Sequence, residues 1–220
     1  MKRHSLTAVL PALNESATIF KIVSEVRILA DVVVVDDGST DGTGELAKEA
    51  GANVVTHSNN LGYDKALESG LLWAAAQGYQ YAVTCDADGQ HCAETIALFM
   101  RELEKGAELV VGVRDRTQRW SEKLFCLIST KLWNIQDPLC GMKGYRLDLV
   151  DSVDCINTYT SIGTELCIRA ARSGCCIRQV NVPTTERVGA SRFGSGLRAN
   201  ALILSAIWFG VVRALPFTAK

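Results

Sequence analysis

The run VVVVDDGSTDGTGELAKEAG, residues 32–51, decides the fold. Four consecutive β-branched residues read as a strand buried on both faces, as strands of a parallel sheet are. The run stops at two carboxylates, glycines that permit positive φ and hydroxyl side chains that favour helix starts, and then enters the helix-prone ELAKEAG. Strand, polar turn and helix together make one βα unit.

The same unit recurs on both sides. Upstream, residues 6–10 form a short apolar run closed by Pro11, and Ile19, Ile22, Val23 and Val26 then fall at helical spacing within residues 16–29. Downstream come a strand at 52–56, the loop HSNNLG and a helix from about residue 65 to 76 closed by Gly78. A strand at 81–85 then leads through DADGQH into a helix at 94–104. Such alternation predicts an α/β fold: a Rossmann-like, mostly parallel central sheet with helices on both faces. Ligands of such sheets sit outside the carboxyl ends of the strands. PALNE, DDGSTDGT and DADGQH each follow a strand, so all three should gather along one rim. The remainder reads as a strand at 109–113, a basic helical stretch at 120–133, the loop DPLCGMKGYR, a helix at 161–173 and a last strand around 177–183.

Bulk properties narrow the classes. A chain of 220 residues supports one substantial α/β domain. Lys plus Arg number 23 against 24 for Asp plus Glu, so no global charge argues for nucleic-acid binding. The N-terminal apolar run is interrupted at Asn14 and Glu15, too early for a signal-peptide core, which predicts a cytoplasmic start. Eight cysteines are scattered, with Cys175 and Cys176 adjacent and no CxxC, so reduced cysteines are expected rather than staples or zinc ligands.

Two constellations carry chemistry. Asp86 and Asp88, two residues apart after a buried strand, can turn both carboxylates toward one point, and Gln90 adds a neutral oxygen. Such hard donors suit Mg2+ or Mn2+ shared with diphosphate oxygens. The bland reading is an Asp-rich turn whose carboxylates satisfy backbone donors. Asp36 and Asp37 could likewise accept hydrogen bonds from a base edge or ribose, or belong only to a turn in which Thr40 or Asp41 caps the next helix. GxGxxG does not follow the first strand and GxxxxGK[ST] occurs nowhere, which counts against a dehydrogenase and a P-loop NTPase.

Pro11, Asn14 and Glu15, then VDDGSTDGT, NNLG at 59–62, DADGQH and GVR at 112–114, in this order, resemble glycosyltransferase family 2, whose members have the GT-A fold. DPLCGMKGYR, TELC at 164–167, VPTTER at 182–187 and GASRF at 189–193 are similar to its dolichol-phosphate mannose synthase branch, which includes bacterial polyprenyl-phosphate transferases. The resemblance spans about residues 5 to 196. It implies that Pro11, Asn14, Glu15, Asp37 and Asp86 hold the nucleotide and that Asp86, Asp88 and Gln90 hold Mn2+ or Mg2+. Arg114, Arg187, Ser191 and Arg192 would bind the donor diphosphate or the acceptor phosphate, with Asp88, Arg114 and Arg187 acting catalytically. Lys123 and Lys131, on the basic helix, could reach the acceptor phosphate or simply be solvated. The chain departs from many relatives after Gly62, where they have a lysine or small residues and it has Tyr63 and Asp64. That difference bears on donor preference.

The implied reaction is an inverting, metal-dependent transfer from a nucleotide-diphosphate sugar to a dolichyl or undecaprenyl phosphate. A phosphate acceptor is already anionic and needs no general base. A lipid acceptor accords with residues 197–217, apolar between Arg198 and Arg213 but shorter than the roughly 20 residues of a spanning helix. This predicts a catalytic domain at 1–196 and an amphipathic interfacial helix within 197–220, at the cytoplasmic membrane face. The rivals are a transferase using a hydroxyl or glycan acceptor, a nucleotidyltransferase releasing pyrophosphate, and a non-catalytic nucleotide-sugar-binding module.

Overall fold

The computed structural model describes residues 5–87, 93–115, 120–151, 161–183 and 203–204. Its elements alternate as β1 Leu6–Ala12, α1 Ile19–Val26, β2 Asp31–Asp36, α2 Thr43–Glu49, β3 Asn53–Thr56, α3 Tyr63–Ala76, β4 Tyr81–Thr84, α4 Ala93–Glu104 and β5 Leu109–Arg114. They continue as α5 Trp120–Trp133, β6 Lys143–Arg146, α6 Leu147–Asp151, α7 Ile162–Arg172 and β7 Ile177–Val182. The expected alternation holds through β5.

Seven strands form one sheet in the order β3-β2-β1-β4-β6-β5-β7. The chain runs outward from β1 to β2 and β3, then returns to β4 on the other side of β1, so the strand order reverses between β1 and β4. That reversal is where a parallel sheet opens a crevice. Pro11 marks the opening. It pairs with Val35 of β2, but the β4 register ends at Val9 opposite Thr84, so the backbone donor that proline lacks is not needed on the β4 side.

The alternating strand residues divide the core in two. Leu6, Ala8, Leu10, Val32 and Val34 face α1, α2 and α4 through Ile19, Val23, Ala47, Phe99 and Leu103. Val9 and Val33 face α3 and α7 through Leu67, Leu71, Ile162 and Leu166. Helices therefore cover both faces, as the sequence predicts.

The stretch expected as a loop, DPLCGMKGYR, contains a strand instead. β6 lies between β4 and β5 and runs antiparallel to both. KGYR has no β-branched run to announce it. Lys143 is nonetheless buried, and Thr84 clamps it: Lys143 N–H donates to Thr84 Oγ1 at 3.1 Å, and that hydroxyl donates to Gly141 O at 2.8 Å. α6 follows immediately and was likewise not anticipated.

Cys126, Cys140, Cys167, Cys175 and Cys176 are free thiols, as expected for the scattered cysteines. Of the predicted C-terminal helix only Ile203 and Leu204 are described; they are helical, and Ile203 packs beside Phe125 and Ile168. The rest of residues 197–220 lies outside the described residues. Among those described, no helix is long and apolar enough to cross a membrane.

Candidate active site

The loops after β1 and β2 are laced together by backbone N–H groups and side-chain oxygens. Asn14 N–H donates to Ser39 Oγ at 3.0 Å, Glu15 N–H to Thr43 Oγ1 at 2.8 Å and Ser16 N–H to Asp41 Oδ2 at 3.0 Å. In return Thr40 N–H donates to Asn14 Oδ1 at 3.0 Å. Asn14 adopts a left-handed φ of 54°, which asparagine tolerates better than most residues. Asp41 also accepts from Thr43 N–H at 3.1 Å, just before α2, so the turn reading and the ligand reading of DDGSTDGT are both partly realised. Burial pulls the Asp41 carboxyl upward, but the hydrogen bonds from Thr43 and Ser16 outweigh it and hold it at about 2.

Asp37 is buried where β2 ends. Its Oδ1 accepts from Leu61 N–H at 2.9 Å and its Oδ2 from Gly62 N–H at 2.8 Å. His57 Nδ1 stands 2.7 Å from the same Oδ1 and must carry the hydrogen when the carboxylate is ionised, because an ionised carboxylate only accepts. His57 Nε2 in turn lies 3.0 Å from Ser69 Oγ. Asp37 thus folds the 57–62 loop over the strand end. Gly38 is part of the same closure: at φ +80° a side chain would be strained, and a Cβ would sit 2.8 Å from the Asn59 carbonyl carbon.

Asp86 follows β4 by two residues, on the far side of the crevice, and is half-buried. Tyr63, the first residue of α3 and the neighbour of Gly62, donates its hydroxyl to Asp86 Oδ1 at 3.0 Å. Burial first, and then the Asp86 charge, push the Tyr63 phenol well above its ordinary value, so it stays a donor. Thr18 Oγ1 donates to Ala87 O at 2.8 Å and ties the start of α1 to the same turn. Asp37 and Asp86 are therefore joined through two consecutive residues, Gly62 and Tyr63. PALNE, DDGSTDGT and the beginning of DADGQH do share one rim, as predicted from strand direction.

Arg114, at the end of β5, has partners other than a phosphate. Nε and Nη2 donate to Asp137 Oδ2 and Oδ1 at 2.7 and 2.9 Å in a bidentate fork, and Nη2 lies 3.5 Å from Glu122 Oε2. Burial alone would lower the affinity of the guanidinium for its proton; Asp137 outweighs this and holds it above its ordinary value. Nε and Nη2 of the guanidinium are thus both turned to carboxylates. Lys123 and Lys131 are both exposed on α5.

Beneath the site, Asp64 Oδ1 accepts from Ile162 N–H at 2.7 Å, the first residue of α7. Burial raises the Asp64 carboxyl to about 6, although the Ile162 hydrogen bond and the Lys143 charge oppose it. The Lys143 ammonium donates to Cys140 O.

Asp88, Gln90, Arg187, Ser191 and Arg192 lie outside the described residues. Among those described, no three His, Cys, Asp or Glu side chains converge as a metal cluster. Sequence reasoning assigned no role to His57, Asp137, Glu122 or Lys143. Asp137 opens the quoted motif DPLCGMKGYR, and an aspartate before proline was the available signal for it.

The profile described as Glycosyl transferase family 2 matches residues 7–125. The chain is 29% identical to a polyprenol monophosphomannose synthase of Mycolicibacterium smegmatis, over 91% of this chain and 85% of that one. It is 30% identical to an undecaprenyl-phosphate mannosyltransferase of Micrococcus luteus, over 83% and 86%. In architecture it is similar to glucosyl-3-phosphoglycerate synthase from Mycobacterium tuberculosis, crystallised with Mn2+, UDP-glucose and phosphoglyceric acid, with a TM-score of 0.73 at 24% identity over 92% of this chain and 79% of that one. The motif order, the crevice between β1 and β4 and these likenesses agree: the chain belongs to glycosyl transferase family 2.

Proposed function

We propose that the protein transfers a hexose, with inversion, from a nucleotide-diphosphate sugar to a polyprenyl phosphate, with Mn2+ or Mg2+ held by Asp86, Asp88 and Gln90. The observation that carries this is Asp86 at the strand-order reversal, one hydrogen bond away from the loop that Asp37 holds. The donor set fits such a cation. Asp86 offers hard oxygen, and the missing side chain of Gly141 leaves room beside it, since a Cβ there would lie 2.8 Å from Asp86 Oδ2. A bound divalent ion would offset the charge that develops on the diphosphate leaving group.

The chain's own residues supply the rest. Asn14, Glu15 and the laced loops shape the nucleotide side of the crevice, beside Pro11 and Asp37. Because the Arg114 fork is bound to Asp137, cationic help for the phosphates falls to Arg187 and Arg192, with Ser191 as a hydroxyl donor and Lys123 as an exposed cation near the acceptor. Asp88 and Arg187 would touch the reacting diphosphate, whereas Arg114 organises the β5 end. A phosphate acceptor is anionic near neutral pH and needs no base. Polyprenyl phosphate acceptors are named for the two relatives at 29% and 30% identity.

The lipid acceptor implies work at a membrane surface, peripheral and on the cytoplasmic face, with 1–196 as the catalytic domain and 197–220 as an interfacial helix. α5 supports this reading. Trp120, Leu124 and Leu127 recur at helical spacing and are 60, 38 and 68% exposed, flanked by Lys123 and Lys131. An apolar stripe edged by lysines suits the headgroup region of an anionic bilayer.

The test is a panel of UDP- and GDP-sugars with undecaprenyl or dolichyl phosphate and Mn2+, read by release of nucleoside diphosphate. One donor should give turnover that depends on the lipid phosphate and on the metal. Asp86→Ala should lower kcat/KM by about two to three orders of magnitude, as loss of a group that stabilises transition-state charge does. Transfer to a hydroxyl acceptor alone, release of pyrophosphate, or full activity of both Asp86→Ala and Asp88→Ala would each overturn the proposal.

A further inference from the structure

We infer that Tyr63 is a positioning residue for the metal-binding carboxylate: its hydroxyl, delivered by the start of α3, fixes the orientation of Asp86 across the crevice. The inference rests on the reading of Asp86 as a ligand and adds a residue at which this chain departs from many of its relatives.

Three consecutive residues at the start of α3 each fasten to a different part of the site. Gly62 N–H is held by Asp37 Oδ2 at 2.8 Å, Tyr63 reaches Asp86 Oδ1 at 3.0 Å, and Asp64 Oδ1 holds Ile162 N–H at 2.7 Å. The residues on either side of Tyr63 are therefore tied to Asp37, through the Gly62 backbone, and to α7, through the Asp64 side chain, which limits how far the ring can swing. A hydroxyl on a ring fixed at both flanks is a stiff strut. A lysine at this position would put a flexible chain and a positive charge there instead, and a small residue would not reach.

Asp86 is also shaped from the opposite side. A Cβ at Gly141 would stand 2.8 Å from its Oδ2 and 3.3 Å from its Oδ1, so the carboxylate occupies space that only glycine leaves open. Accepting one hydrogen bond from Tyr63 does not exhaust Oδ1, because each carboxylate oxygen has about two lone-pair positions. The hydroxyl thus orients the group without using up its capacity to ligate. Outer-shell hydrogen bonds of this kind preorganise ligands, and their loss typically weakens metal binding by about 10- to 100-fold. A half-buried site that water can enter belongs at the lower end of that range.

The experiment measures Mn2+ binding directly, by electron paramagnetic resonance of the free ion, on the full-length protein with nucleoside diphosphate present. Tyr63→Phe keeps the ring and removes only the hydroxyl. Its Mn2+ dissociation constant should rise about three- to tenfold, and the Mn2+ concentration for half-maximal transfer should rise in step, with kcat at saturating Mn2+ changed less than twofold. Its melting temperature in EDTA should stay within about 4 °C of the parent, since loss of a single hydrogen bond changes global stability only slightly. Gly141→Ala, whose new Cβ would crowd the same carboxylate at Oδ2, should weaken Mn2+ binding as well. Unchanged Mn2+ affinity in Tyr63→Phe, beside its loss in Asp86→Asn, would overturn the role of Tyr63 and leave the metal reading intact. Unchanged affinity in Asp86→Asn would overturn both.

Discussion

The two ends of the crevice treat polar groups in opposite ways. On the β1–β2 side, carboxylates and hydroxyls receive backbone N–H groups: Ser39, Asp41 and Thr43 accept from residues 14–16, and Asp37 accepts from Leu61 and Gly62. On the β5 side a single guanidinium is sandwiched between Asp137 and Glu122. The first arrangement spends anionic groups on shaping loops and leaves room for a ligand to meet what remains. The second holds a cation between two carboxylates. The difference teaches that an arginine in the expected place at a strand end is no guide to phosphate binding until its carboxylates have been counted.

Removing one acid from each end sharpens the contrast and gives the largest effects. Asp137→Ala leaves the Arg114 guanidinium, whose side chain is only 20% exposed, facing the Glu122 carboxylate at 3.5 Å. Breaking such a buried pair should lower the unfolding free energy by about 3 kcal/mol. Asp37→Ala frees two backbone donors, but the 57–62 loop is largely exposed and those donors can turn to water, so the loss should be about 2 kcal/mol. Urea unfolding of the two variants checks the order. Equal losses would mean that the two ends are not as differently built as their partners indicate.

Two acids of the site, Asp41 before α2 and Asp64 at the start of α3, also titrate in opposite senses. Asp41 is held at about 2, below its unfolded value near 3.8, so its contribution is present above pH 4 and is lost as pH falls toward 2. Asp64 is raised to about 6, so the native state binds its proton more tightly than the unfolded chain does. Its contribution is therefore greatest below pH 4 and declines as pH rises from about 4 to about 6. Asp64→Asn retains an oxygen for Ile162 N–H and removes the cost of charging a buried carboxyl. The variant should lose the decline between pH 4 and 6, and its gain in stability over the parent should grow across that window. Thermal melts at half-unit pH steps test this, and parallel curves for the two proteins would refute it.

Much of this contrast was legible in the sequence on the β1–β4 side and little of it on the β5 side. Val32–Val35 followed by carboxylates, glycine and a helix is a local signal, and strand direction alone brings residues 14, 37 and 86 to one rim. β6 gave no such signal. KGYR becomes a strand only because Thr84 and Val110 on its neighbours complete its ladder, and its lysine is buried because β4 and β5 enclose it. The Arg114 fork depends on a contact across 23 residues, and no spacing rule predicts it. Tyr63 stood out only as a departure from the family pattern; its partner emerged once α3 and β4 were set side by side.

The smallest effect on stability should come from the outer face of α5, where the β5 side meets solvent. Leu124 and Leu127 are 38 and 68% exposed, and replacing both with glutamine removes little buried surface. The unfolding free energy should change by no more than about 0.5 kcal/mol. Binding to vesicles is another matter. If the stripe enters the headgroup region, each leucine contributes about 1 kcal/mol there, less than full burial would give, and the double substitution should weaken binding roughly thirtyfold. Cosedimentation with anionic vesicles, with and without added salt, separates the leucines from the lysines: salt should weaken the parent and the glutamine variant in the same proportion, because Lys123 and Lys131 remain in both. A glutamine variant that binds as tightly as the parent would remove α5 from the membrane reading and leave residues 197–220 to carry it.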